Sequence, residues 1–119
     1  MTQARLTTGK MGEELAANLL QKKGHRILAR NLKNNLGEID LLTEHKKAIV
    51  LVEVKTKRGL LFGLPQEMVH YHKQKKLRLL ARWLEQQYPR RTIRIDVVAI
   101  NLDPDPPTIE HLENVLEAV

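Results

Sequence analysis

Asp40 stands thirteen residues ahead of a Glu-x-Lys triplet, Glu53-Val54-Lys55. Side chains along a strand alternate faces, so Glu53 and Lys55 project to one side. Val50, Val52 and Val54 project to the other, which suits a buried core. Asp40 is set between Ile39 and Leu41-Leu42, and Glu53 between Val52 and Val54. Carboxylates in such apolar strands are costly unless they are paired or bound to a cation. If the two strands form a hairpin, both acids come to one face, where like charges repel. A hard divalent cation with oxygen ligands, Mg²⁺ or Mn²⁺, meets that need. Such an ion would contact a phosphate oxygen and lower the pKa of a bound water. Lys55 would orient the nucleophile or stabilise charge developing in the transition state. The competing reading of the three residues is a solvated, salt-bridged hairpin.

Elements must carry these groups. Thr7 or Thr8 is placed to cap a helix from Gly9 or Lys10 to Lys23, with Gly24 as a natural stop. Met11, Leu15, Ala16, Leu19 and Leu20 recur there at helical spacing. Glu13 precedes Ala16, Ala17 and Leu20 by three, four and seven residues. It therefore flanks the buried stripe and could add a carboxylate from above the sheet; a first-turn acid favoured by the helix dipole is the alternative. A short strand follows over Arg26–Arg30, then a turn or irregular loop over Asn31–Gly37. The next strand, Glu38–Thr43, is joined to Ala48–Thr56 by a link short enough to make the pair antiparallel. Arg58–Pro65 reads as a loop. A long basic helix over Gln66–Gln87 has Leu77, Leu80, Ala81, Leu84 and Tyr88 as its apolar stripe. Thr92–Ile100 is a strand with Ile93, Ile95 and Val97 on one face, and Thr108–Val115 is a last short strand or helical turn. The order predicts a single α/β or α+β layer domain spanning residues 1–119.

Charge is unevenly spread along the 119 residues. Residues 1–36 carry a net +5, residues 71–95 a net +7, and residues 96–119 a net −6. Two basic regions thus flank the neutral segment that holds the acidic cluster, a distribution that favours phosphate backbones as partners. The chain contains no cysteine, which excludes disulfides and thiolate metal sites and fits a reducing cytoplasm. Without an apolar run of membrane length or a signal-like start, a cytoplasmic protein is expected.

The acidic set, Asp40 followed by Glu53-x-Lys55, resembles the metal site of the PD-(D/E)xK nuclease superfamily, the restriction-endonuclease-like fold. The wider pattern is similar to the YraN-like bacterial predicted endonucleases, related to Holliday-junction resolvases. It comprises Gly9-x-x-Gly12-Glu13-x-x-Ala16, Ile27-Leu28-Ala29-Arg30-Asn31, Gly37-Glu38-Ile39-Asp40-Leu41 and Val52-Glu53-Val54-Lys55-Thr56. Further on come Phe62-Gly63-x-Pro65, Lys73-Gln74, Arg94-Ile95-Asp96-Val97-Val98-Ala99 and Ile109-Glu110-His111-Leu112. The matches run in order along almost the whole chain. No Pro precedes Asp40; Ile39-Asp40 is the YraN-like form. The resemblance implies a central mixed sheet flanked by helices, with Asp40, Glu53 and Lys55 at its catalytic edge and Glu13 added from the first helix. It also implies cleavage of DNA phosphodiesters with Mg²⁺ or Mn²⁺ held by Asp40, Glu53 and Glu13.

Lys57 and Arg58, just past the Glu-x-Lys strand, and Lys73, Gln74 and Lys76 on the long helix are the candidate nucleic-acid contacts; an exposed polar surface is the plain alternative. Gln66 and Glu67 lie in the same region. His70 and His72 sit two apart on a helix and so point to different faces, which disfavours a zinc site. Trp83 reads as core rather than a stacking platform. Gly9-x-x-Gly12 lacks the Lys-Ser/Thr of a phosphate-binding loop. The leading expectation is a metal-dependent endonuclease acting on DNA, including branched DNA, where cutting two strands symmetrically would call for a homodimer. The alternatives are a non-catalytic nucleic-acid-binding module and, more weakly, a protein-interaction domain docking through its acidic C-terminal segment.

Overall fold

A computed structural model describes residues 7–58 and 71–116. The first helix, α1, runs Thr8–Lys22; Thr7 caps it, its hydroxyl accepting from the Lys10 N–H at 3.2 Å. The chain leaves the helix through Gly24, whose φ of 94° suits glycine. Strands β1 (Arg26–Asn34), β2 (Gly37–His45) and β3 (Ala48–Lys57) form an antiparallel meander. Helix α2 (Tyr71–Gln87) crosses to β4 (Thr92–Asn101), which lies parallel to β3. Strand β5 (Thr108–Leu112) closes the far edge antiparallel to β4, so the sheet order is β1-β2-β3-β4-β5.

The sheet is covered on both faces. Ala16, Ala17 and Leu20 of α1 pack with Leu41, Val50, Val52, Val98 and Ile100. On the opposite face Leu77, Leu80 and Leu84 of α2 pack with Ile39, Leu42, Ile49, Leu51, Ile95 and Val97. Double coverage explains why β3 begins as an unbroken apolar run rather than an alternating one. Its Glu53 face is therefore core up to Leu51, and Glu53 stands where that core ends. Trp83 packs beside the α2 cluster, as its position predicts. The mixed sheet flanked by two helices is the α/β architecture that the resemblance implies. Among the described residues, no helix is long and apolar enough to cross a membrane.

Several boundaries differ from the sequence-based expectation. The region expected as a loop from Asn31 to Gly37 is mostly strand: β1 continues to Asn34, and only Asn35-Leu36 turn. Asn34 closes that turn, its Oδ1 accepting from Leu36 N at 2.8 Å and Gly37 N at 3.2 Å. Asn31 stays within the strand in a left-handed conformation (φ 51°), so its loop-like signal marks a local kink. The last element is a strand. The proposed start of the long helix at Gln66, with Glu67, His70 and the loop Phe62–Pro65, lies outside the described residues.

The β2–β3 turn is formed by Lys46 and Lys47, both left-handed at φ 48° and 71°. Two-residue hairpins of this kind favour Asn-Gly, because both positions need positive φ. Each lysine carries a cost of roughly 1 kcal/mol or more there.

Candidate active site

The β2–β3 ladder ends at Leu41↔Val52. One step further, Asp40 would stand opposite Glu53, but the strands part. The Asp40 carboxylate turns into the opening, where its Oδ2 accepts from Val54 N at 2.9 Å. A side chain thus replaces the backbone acceptor that the ladder would have supplied, which fixes Asp40 at the mouth of a fork. On the other side of β3 the parallel pairing continues through Glu53↔Val97 and Lys55↔Ala99 to Lys57↔Asn101. Among the described residues, the second half of β3 is therefore paired to β4 on one side and no longer in ladder with β2 on the other.

Glu53 is buried, its side chain only 6% exposed, and Lys55 Nζ lies 3.5 Å from its Oε1. The cation that the sequence calls for beside these acids is present in part as the Lys55 ammonium. Glu13 reaches the same end of β3 by a different route. Gly12 packs directly on Thr56, where a β-carbon would overlap the threonine hydroxyl. This contact seats α1 over the end of β3 and brings the adjacent Glu13 with it. Glu13 is mostly covered and pairs with Lys10 at 3.6 Å. It is the sixth residue of α1, past the first turn, so the helix-dipole alternative does not hold. Strand alternation puts Glu53 and Lys55 on the α2 face, whereas α1 covers the face of Val52 and Thr56. Glu13 thus stands on the opposite layer of the sheet from Glu53 and Lys55. Gly12→Ala should force α1 off Thr56 and destabilise the fold by about 1–3 kcal/mol, readable by urea denaturation.

The oxygen donors suit a hard divalent cation. Asp40 and Glu53 lie on neighbouring strands, each one step past the Leu41↔Val52 pair, with Asp40 held by the Val54 N–H. Of the expected phosphate contacts, Lys57 ends β3, and Arg58 follows it, 3.9 Å from Asp103 Oδ1. Gln74 lines a groove on α2 with Lys75, Arg78 and Arg82. The Lys76 stem fills the space beside Gly37, bringing its ammonium to the end of β2 from which Asp40 projects. The side chain of Lys73 lies outside the described residues.

A second polar cluster lies on the α1 face, around Asp96 of β4. Asp96 is fully buried; Arg94 donates to both its oxygens at 2.9 and 3.0 Å, and Asn114 N donates at 3.0 Å. His111 Nε2 lies 2.8 Å from Asp96 Oδ2. Burial pushes the Asp96 carboxyl up, but the bonds from His111, Arg94 and the Asn114 amide outweigh it and hold the pKa below its ordinary value. His25 stacks on His45 at 4.1 Å between ring centres and bonds Thr43 Oγ1 through Nδ1 at 2.7 Å. Ligand atoms of His25, Asp96 and His111 lie within 4.8 Å of one another. The Asp96 oxygens are already engaged by Arg94, His111 and Asn114, whereas the His25 Nε2 of the same cluster is buried without a partner, so the network is closed at Asp96 and left open at His25. Sequence reasoning weighed His70 and His72 and passed over His25 and His45. The available signal was a histidine just ahead of β1 and another closing β2, which is weak.

Burial, followed by the charges on His45 and Arg94, lowers the His25 pKa to about 4. Its Nε2 has no hydrogen-bond partner, so the second N–H of a charged ring would lack an acceptor. Burial also lowers His45. A histidine whose folded pKa is depressed stabilises the fold fully above its unfolded value near 6.5. That stability is lost as pH falls from about 6.5 toward about 4. The melting temperature at the lower end of this window is expected to be roughly 5 °C or more below that at pH near 7.5. Thermal scans across the window test this, and His25→Gln should flatten the profile.

An α/β domain whose mixed sheet opens into a carboxylate fork beside a buried glutamate–lysine pair is the class that fold and site define. The chain belongs to the uncharacterised protein family UPF0102, matching its family-wide profile over residues 12–100. A UPF0102 protein of Syntrophotalea carbinolica is 40% identical over 113 residues, covering 93% of this chain and 92% of that protein. One from Nocardia farcinica is 46% identical over 110 residues, covering 90% of this chain and 87% of the other. A solved structure, that of an EndoMS-dsDNA2 complex, is similar at a TM-score of 0.47 and 20% identity. That likeness spans 80% of this chain and 37% of the other.

Proposed function

We propose that this protein is a metal-dependent endonuclease that hydrolyses DNA phosphodiester bonds, acting in the cytoplasm on duplex or branched DNA. The observation that carries this reading is the fork: Asp40 is locked by the Val54 N–H against the strand that presents the Glu53–Lys55 pair. Asp40 and Glu53 would hold a Mg²⁺ or Mn²⁺ ion, with Glu13 approaching from α1. Such an ion would polarise the scissile phosphate and supply a water of lowered pKa. Lys55 orients the attacking oxygen and offsets negative charge gathering on the phosphate. Hydrolysis joins the water oxygen to phosphorus and releases the ester oxygen, which takes up a proton. Lys57, Arg58, Gln74 and Lys76, together with Lys73, hold the flanking phosphates, and a homodimer would serve where two strands are cut.

The test is incubation with labelled duplex, flap and four-way-junction DNA, with Mn²⁺ or Mg²⁺ and with EDTA. Cutting that appears only with metal is expected; no product from any substrate would sink the proposal. One observation favours a second reading, a non-catalytic nucleic-acid-binding module: Lys55 already gives Glu53 a cation. That reading predicts salt-sensitive binding with no metal requirement and no products.

A further inference from the structure

At the end of the sheet remote from the fork, three connections converge: α1 to β1, the β2–β3 turn, and α2 to β4. They enclose an open hollow of about 600 Å³. Its charged lining is Arg26, Lys46, Lys47, Arg90 and Arg91 against the one carboxylate of Glu44. Glu44 does not neutralise the hollow; it organises it. It bonds Arg26 at 3.0 Å and also accepts from Arg91, whose Nε donates to Lys47 O at 2.7 Å. The Arg91 hydrogen bond, with the charges of both arginines, holds the Glu44 pKa below its ordinary value, so it stays ionised and keeps both cations in place. Lys46 and Lys47 stand exposed at left-handed turn positions that the backbone would rather give to Asn and Gly. Two lysines kept where the chain resists them, on the rim of a cationic hollow with an ordered floor, call for an anionic ligand.

We infer that this hollow is a second phosphate-binding site, holding the backbone of a DNA duplex that extends away from the candidate active site. The inference rests on the DNA reading above but not on catalysis. The first six residues of β3, Ala48–Glu53, separate the two sites. At about 3.3 Å per residue, that separation is roughly 20 Å. At 3.4 Å of rise per base pair, a duplex engaging both sites must exceed about 6 base pairs. The hollow thus sets a minimum substrate length.

The experiment measures binding, without divalent metal, of a duplex of about 20 base pairs and a hairpin-closed duplex of about 4. The double variant Lys46→Asn, Lys47→Gly installs the residues that the turn prefers, so its melting temperature should equal or exceed that of the native chain. It is expected to bind the long duplex roughly tenfold more weakly, with the salt slope reduced by about two, and the short one unchanged. Arg90→Gln, an exposed change outside the turn, should weaken long-duplex binding in the same direction. Unchanged affinity and slope for the long duplex overturn the inference, as does an equal loss on both lengths. If the length effect holds while no DNA is cut, the nuclease reading alone falls. If cutting occurs while both variants bind like the native chain, the second site alone falls.

Discussion

Asp40→Asn should leave the protein folded and reduce metal-dependent cleavage by on the order of 10³-fold or more. The amide oxygen can still accept from Val54 N–H, so the fork keeps its shape while the negative charge is lost. Asp40→Ala removes both the charge and the acceptor. It should show the same loss of cutting plus a stability cost of about 1–3 kcal/mol from the stranded N–H. The pair of variants separates chemistry from scaffolding, which neither does alone. Glu53→Gln is expected to match Asp40→Asn in cleavage. Single-turnover cutting of the best substrate in Mn²⁺, alongside urea denaturation, supplies both readouts. Cleavage that persists within tenfold in Asp40→Asn and Glu53→Gln would show that the fork does not hold the reacting centre.

Asp96→Ala should be the most destabilising single change in the described part of the fold. Asp96 is fully buried, and its removal strands Arg94, itself only 17% exposed, beside the imidazole of His111. Breaking a buried pair by deleting one partner costs about 3–5 kcal/mol, because the survivor keeps its charge without its counterion. The Asn114 amide would also lose its acceptor, leaving the segment after β5 held by the Val115 N–H to Ile95 O bond. For a domain of this size the loss corresponds to a fall in melting temperature on the order of 15 °C. Against a total stability of about 5–15 kcal/mol, such a variant would be marginal at physiological temperature. Asp96→Asn, which can still accept from Asn114 N, should cost less. A loss below about 1 kcal/mol in Asp96→Ala would show that the network only fills space.

Local pattern was sufficient for much of the architecture. The α1 stripe from Met11 to Leu20, the apolar run Ile49–Val52 and the two-sided strand Ile93–Ile100 each carry a periodicity set by their own backbone geometry. Asn31 misled because asparagine tolerates left-handed backbone within a strand as readily as in a loop. Lys46 and Lys47 concealed the tightness of their turn, since lysine is not a residue that such a turn selects.

Asp40 and Glu53 were legible as candidates because a carboxylate in an apolar strand is an anomaly in one dimension; Lys55 followed from sharing a strand face with Glu53, and Glu13 from its place beside the α1 stripe. Their relation was not legible. Periodicity says which face a residue occupies, but not where two strands stop pairing. The fork between β2 and β3, the turn of Asp40 into it, and the seating of Glu13 through Gly12 on Thr56 all depend on contacts between distant segments. The same holds for the five cations gathered at the far end of the sheet, which come from separate stretches of chain. Composition and spacing marked which residues are of a type and placement to carry chemistry; only packing in three dimensions decided which of them meet, because energies of burial and pairing act between neighbours in space.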